Sequence, residues 1–192
     1  QSIYDRWGTS LNATLVLDVV FLIGCLAVIG FVFWRQRRQG EGIVELGWGR
    51  PVRMPVIVIA VVYGLAWTTM SYMRGGDPLA FPWQRPIMMA IGLVLAFAEE
   101  IAVRGLILDR LARCGTSRII QIVVTAGIMA VYHGVVGHSV WPSYMVSSFV
   151  LFGVLSVIYV YGGRSLTPVY IAHAMAHFLG DPALMQGVLY GV

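Results

Sequence analysis

Charge is scarce in this sequence. Only 11% of its 192 residues are charged, lysine is absent altogether, and all 13 basic residues are arginine. Ordinary soluble domains carry about a quarter charged residues, so a water-soluble globular domain is excluded. Cysteine is as sparse: Cys25 and Cys114 stand alone, which excludes a disulfide-stapled scaffold. There is no internal repeat and no low-complexity tract, and the apolar content excludes disorder. The arginines stand in short clusters between apolar runs, a distribution that suits membrane orientation and argues against a nucleic-acid partner.

What the chain has instead is apolar length. Hydrophobic residues make up 58% of it, and its mean hydropathy is +0.79. So small a domain cannot hide that much apolar surface from water. Lipid must therefore solvate much of it. The reading is all-α: a single integral membrane domain over residues 1–192, a polytopic bundle of about six spanning helices of about 20 residues each. Spans are expected near 14–34, 55–73, 86–109, 119–137, 144–161 and 167–190. The first ends on Arg35, Arg37 and Arg38 and is too long for a cleavable signal segment. Pro86 and Thr167-Pro168 mark helix starts, and Gly162-Gly163 marks a stop. Asp18 is expected to snorkel to the interface, and the stretch from Gly40 to Pro55, with Trp48, to form an interfacial loop or short surface helix.

Arginine placement orients the bundle. If the first span runs inward, inside segments hold Arg35, Arg37, Arg38, Arg50, Arg53, Arg110, Arg113, Arg118 and Arg164, against Arg6, Arg74 and Arg85 outside. That asymmetry puts both termini on the external side. The expected location is the bacterial inner membrane, with lipid as the constant partner.

Six ionisable residues interrupt the spans: Glu99, Glu100 and Arg104 in the third, His133 in the fourth, His173 and His177 in the sixth. Each costs about 2.5–3.5 kcal/mol at mid-bilayer, so they face the interior and find partners. In an α-helix residues four apart lie about 40° from each other and residues five apart about 140°. Arg104 is therefore expected to neutralise Glu100 and leave Glu99 free. Glu99 and His133 each lie roughly 20 Å from the start of their antiparallel spans, near the middle of the core. His173 and His177 share a face at spacing four. His138 falls in a Gly/Trp/Pro loop and is read as structural. A desolvated glutamate beside histidine can hold and activate a water molecule, and a histidine opposite can stabilise a developing oxyanion. No cysteine lies near the cluster, and Ser147, Ser148 and Ser156 have no histidine close in sequence, so covalent catalysis is unattractive.

These motifs carry a resemblance. EEIAVR (Glu99 to Arg104) is similar to the EExxxR signature of the CAAX protease and bacteriocin-processing family, also called the abortive-infection family of intramembrane endopeptidases. His133 fits its second motif, with Met129 where phenylalanine is usual; HAMAH (His173 to His177) fits the third, with His177 in place of asparagine. The resemblance spans residues 99–177. It implies that Glu99 activates water with His133 as partner, that Glu100 and Arg104 support them, and that His173 and His177 occupy oxyanion-stabilising positions. Metal ligation by these residues has also been proposed for the family. Glu99, His133, His173 and His177 can form a tetrahedral zinc site, so zinc is a possible cofactor, although the metal-free mechanism is favoured.

The expected activity is hydrolysis of a peptide bond in a membrane-borne peptide or protein by a glutamate-activated water. Two alternatives remain: a catalytically idle member acting as accessory subunit of a membrane complex, and a haem-binding electron-transfer protein using His133 with His173 or His177 as axial ligands.

Overall fold

The computed structural model describes residues 7, 10–73, 81–136 and 141–179 of the chain. Among them there is no strand, and six helical rods follow one another. They are α1 (Leu11–Arg38), α2 (Met54–Met73), α3 (Gln84–Glu100, continuing through Ile101–Leu108 and Asp109–Arg113), α4 (Arg118–Val136), α5 (Trp141–Tyr161) and α6 (Leu166–Phe178). Four are long and apolar enough to cross a membrane, at Leu11–Arg38, Gln84–Arg113, Arg118–Val136 and Tyr144–Tyr161; Met54–Met70 is a shorter apolar helix. Expectations that fall on Arg6, Arg74, His138 and the last turns of the sixth span lie outside the described residues.

Local chemistry accounts for the boundaries. Ser10 caps α1, its hydroxyl accepting from the Ala13 amide at 3.2 Å. Pro55, Pro86 and Pro168 stand in first turns, where no intrahelical donor is lost. α1 and α3 start together, with Gln84 Nε2 donating to Asn12 Oδ1 at 2.7 Å, and end together, with Arg113 Nη1 on Glu41 Oε1 at 2.9 Å. α6 packs on α2, α3 and α5, and α4 pairs with α5.

α1 is built inside out. Val16, Val20, Ile23 and Phe31 are exposed, while Thr14, Asp18, Val32 and Gln36 are buried. Asp18 thus departs from the interfacial position expected for it: at 2% exposure it points into the bundle. An isolated carboxylate on a lipid-facing helix gains more by turning inward to a protein partner than by stretching to water from one turn inside the span.

The stretch after α1 is a loop, as expected, and most of it is exposed. It runs as a series of turns that sends Leu46 and Gly47 inward. Leu46 is 1% exposed among Ile101, Leu108, Leu155 and Leu166. Trp48 stands edge-on to Phe97 at 5.1 Å and to Tyr170 at 5.4 Å, bridging α3 and α6. Between them Gly47 adopts φ +99°, and its carbonyl accepts from the Leu166 amide at 2.8 Å. A Cβ there would lie 2.6 Å from the Arg164 carbonyl oxygen, so glycine is required twice over. Arg50 donates to the Arg164 carbonyl, and Arg164 Nη2 to Gln121 Oε1 at 2.7 Å. The segments following α1, α3 and α5 therefore meet at one arginine-rich end.

Candidate active site

Glu99 and Glu100 close the α-helical part of α3, and from Ile101 to Leu108 the backbone becomes a π-helix. A π turn bonds residue i to i+5 and is wider than an α turn; such turns recur at functional sites. Arg104 stands in this wider stretch. Its Nη1 donates to Glu100 Oε1 at 2.9 Å and its Nη2 to the Phe152 carbonyl of α5, also at 2.9 Å. Both Glu100 and Arg104 are fully buried. The pair expected from the sequence forms, but ideal α-helical angles are not the full reason. The π turn brings positions five apart nearer a common face, and the bond to Phe152 commits the second arm of Arg104 elsewhere.

Two histidines are aimed by their Nδ1 atoms. His173 donates from Nδ1 to Glu100 Oε1 at 2.8 Å, and His133 from Nδ1 to the Met129 carbonyl at 2.8 Å. Those acceptors place a proton on Nδ1 of each ring, and when the ring is neutral its Nε2 presents a lone pair. The two Nε2 atoms lie 3.7 Å (His173) and 4.0 Å (His133) from Glu99 Oε2. Glu99 Oε2 is buried and accepts no hydrogen bond. These separations are too long for direct hydrogen bonds, and with both rings neutral the atoms are all acceptors. Three acceptors from α3, α4 and α6 thus converge on one point, which calls for a proton donor such as water or for a cation. The side chains of Glu99 and His133 are 12% and 14% exposed, and that of His173 2%.

His177 lies beyond His173, with ring centroids 4.9 Å apart. Its approach to α3 depends on Gly92, where a Cβ would stand 2.9 Å from the His177 Cβ. Glu99, His173 and His177 each offer a ligand atom, all within 4.8 Å of one another. His133 is not part of this group, although its Nε2 lies 4.0 Å from Glu99 Oε2.

Sequence reasoning missed Phe152 and Gly92. The Phe152 ring stands between His133 (4.9 Å) and His173 (5.1 Å), with the Arg104 guanidinium carbon 5.0 Å from its centroid. Nothing in an apolar span distinguishes such a residue beforehand, since its role comes from its position and its carbonyl. Gly92 did carry a signal: it precedes Glu99 by two helical turns, a small residue on the same face.

The model of the Type II CAAX prenyl endopeptidase Rce1-like family matches residues 81–179, just over half of the chain. The chain belongs to this family. No curated protein and no solved structure matches it. The Rce1-like match begins just before α3 and ends just after α6, so it contains all six polar residues described above, while α1 and α2 lie before it. It agrees with the resemblance carried by the three motifs and points to an integral membrane hydrolase of the CAAX protease type.

Proposed function

We propose that this Rce1-like protein is an intramembrane endopeptidase in which Glu99 activates water against a peptide bond. The observation that carries the proposal is the unpartnered Glu99 Oε2 flanked by the Nε2 atoms of His133 and His173. A water held there donates a proton to Glu99 as its oxygen attacks the carbonyl carbon. The proton passes on to an imidazole Nε2, which becomes a donor to the oxyanion and afterwards protonates the leaving amine. His133 partners Glu99, while His173 and His177 face the developing oxyanion. Glu100 and Arg104 are positioning residues, acting through His173. The family description makes a prenylated CAAX peptide the first substrate to test. By the positive-inside rule the arginine-rich end is cytoplasmic and both termini are external.

The test is cleavage of such a peptide by purified protein in lipid nanodiscs. Glu99→Gln should lower the rate by about 10²–10⁴-fold, the usual worth of a general base, with an unchanged melting temperature. Undiminished cleavage by that variant would end the proposal.

Zinc is a second reading, favoured by the Glu99–His173–His177 group and by the orphaned Glu99 oxygen. The donor set fits: one carboxylate and two imidazoles, with Glu100 holding His173 from behind as a carboxylate commonly holds a metal-bound histidine. Bound zinc would supply Lewis acidity toward a water in an open position. Elemental analysis at the purified stoichiometry, with cleavage measured before and after chelation, separates the two readings. The geometry weighs against haem, since the nitrogens of His133 and His173 face a shared carboxylate oxygen and not each other across an iron.

A further inference from the structure

A second polar feature lies away from the Glu/His cluster, at the arginine-rich end of the bundle. There the ends of α1 and α3 enclose a small open cleft of about 30 Å³, lined chiefly by Arg35, Gln36, Glu41, Asp109, Arg110 and Arg113. Its charges are unevenly matched. Arg113 is satisfied by Glu41 Oε1 at 2.9 Å and Asp109 Oδ2 at 2.7 Å. Among the described residues, Arg35 and Arg110 have no ion pair or hydrogen bond from their guanidinium groups, and Gln36, only 5% exposed, has none from its amide. With three arginines against two carboxylates, the cleft has a net positive charge and spare donors.

We infer that this cleft binds the phosphate-bearing headgroup of an anionic phospholipid. Donors at the end of two parallel spans lie at the level where headgroups lie, and basic pockets between spanning helices are suited to them. The surface leading from the cleft into the bilayer decides between a lipid and a free phosphate. Phe31 and Val28, four and seven residues before Arg35 on the same face of α1, are 54% and 41% exposed. They form an apolar stripe along which an acyl chain lies once its headgroup is held above. Trp34, 52% exposed and stacked under Arg38 at 4.9 Å, marks the interface at the same depth. The headgroup ties α1 to the last turns of α3, immediately after the π-helical stretch that carries Arg104.

The test compares purified full-length protein, delipidated in detergent and titrated with phosphatidylglycerol, phosphatidylcholine, phosphatidylethanolamine or inorganic phosphate. Bound lipid is read by native mass spectrometry and stability by thermal melting. Phosphatidylglycerol should bind and raise the melting temperature. Arg35→Gln/Arg110→Gln should weaken that binding by roughly thirtyfold, the worth of two arginines at a membrane surface. Arg37→Gln/Arg38→Gln removes the same charge outside the cleft and should change it by much less. Should the first variant fold poorly, Arg110→Gln alone, on an exposed side chain, should weaken binding about fivefold. Equal losses in the two double variants would overturn the inference, reducing it to long-range attraction. So would equal binding of the zwitterionic lipids, or equal stabilisation by inorganic phosphate alone.

Discussion

Replacing Arg104 by methionine tests the account of the buried cluster most directly. Arg104 and Glu100 are both fully buried, and the guanidinium donates once to Glu100 and once to the Phe152 carbonyl. Arg104→Met leaves the Glu100 carboxylate in the core with His173 as its remaining donor. Breaking one side of a buried pair costs about 3–5 kcal/mol, a change of roughly 10²–10⁴-fold in the folding equilibrium. Removing both charges should cost far less. In Arg104→Met/Glu100→Gln the amide oxygen still accepts from His173 Nδ1, and no unpaired charge remains. Replacing a buried ion pair by neutral groups of similar volume is often close to neutral in stability. The double variant should therefore recover most of what the single one loses. Reversible unfolding in mixed detergent micelles, followed by helical circular dichroism, supplies the measurement. A single variant within about 1 kcal/mol of wild type would refute the reasoning, as would a double variant no more stable than the single.

Two further predictions concern packing. Leu46→Ala should destabilise by about 2–5 kcal/mol, the range for truncating a buried leucine, whereas Ile43→Ala, at a position 40% exposed, should do little; equal effects in the same unfolding assay would contradict the inserted loop. Gly92→Ala should push His177 away from α3 and lower cleavage by about 10²-fold, as a misplacement of about 1 Å can, with helix content retained. Wild-type cleavage by that variant would show that the His177 position does not matter.

Much of the architecture was legible because lipid imposes one-dimensional rules. A span must be apolar for about 20 residues, so runs and breaks in the sequence announced an all-helical chain of about six helices, as seen among the described residues. The arginine clusters marked the end at which Arg50, Arg113 and Arg164 now meet. The cost of burying charge in a bilayer singled out Glu99, Glu100, Arg104, His133, His173 and His177, and the spacing of four paired Glu100 with Arg104.

What the sequence could not reveal depends on contacts between helices. The π turn after Glu100 leaves no mark in a run of apolar residues, yet it sets where Arg104 points. Leu46 lies in a stretch whose glycines, prolines and charges read as surface, and only its place in the apolar cluster with residues of α3, α5 and α6 makes it core. Asp18 faces inward because neighbouring helices offer it protein in place of lipid.

The sequence by itself determined that the chain is helical, that it lives in lipid, and which side chains cannot tolerate lipid, because those properties follow from solvation residue by residue. Only the tertiary structure decided that His173 joins Arg104 on Glu100, and that Glu99 Oε2 stands between the Nε2 atoms of two histidines. That division depends on distances across three helices, set by packing.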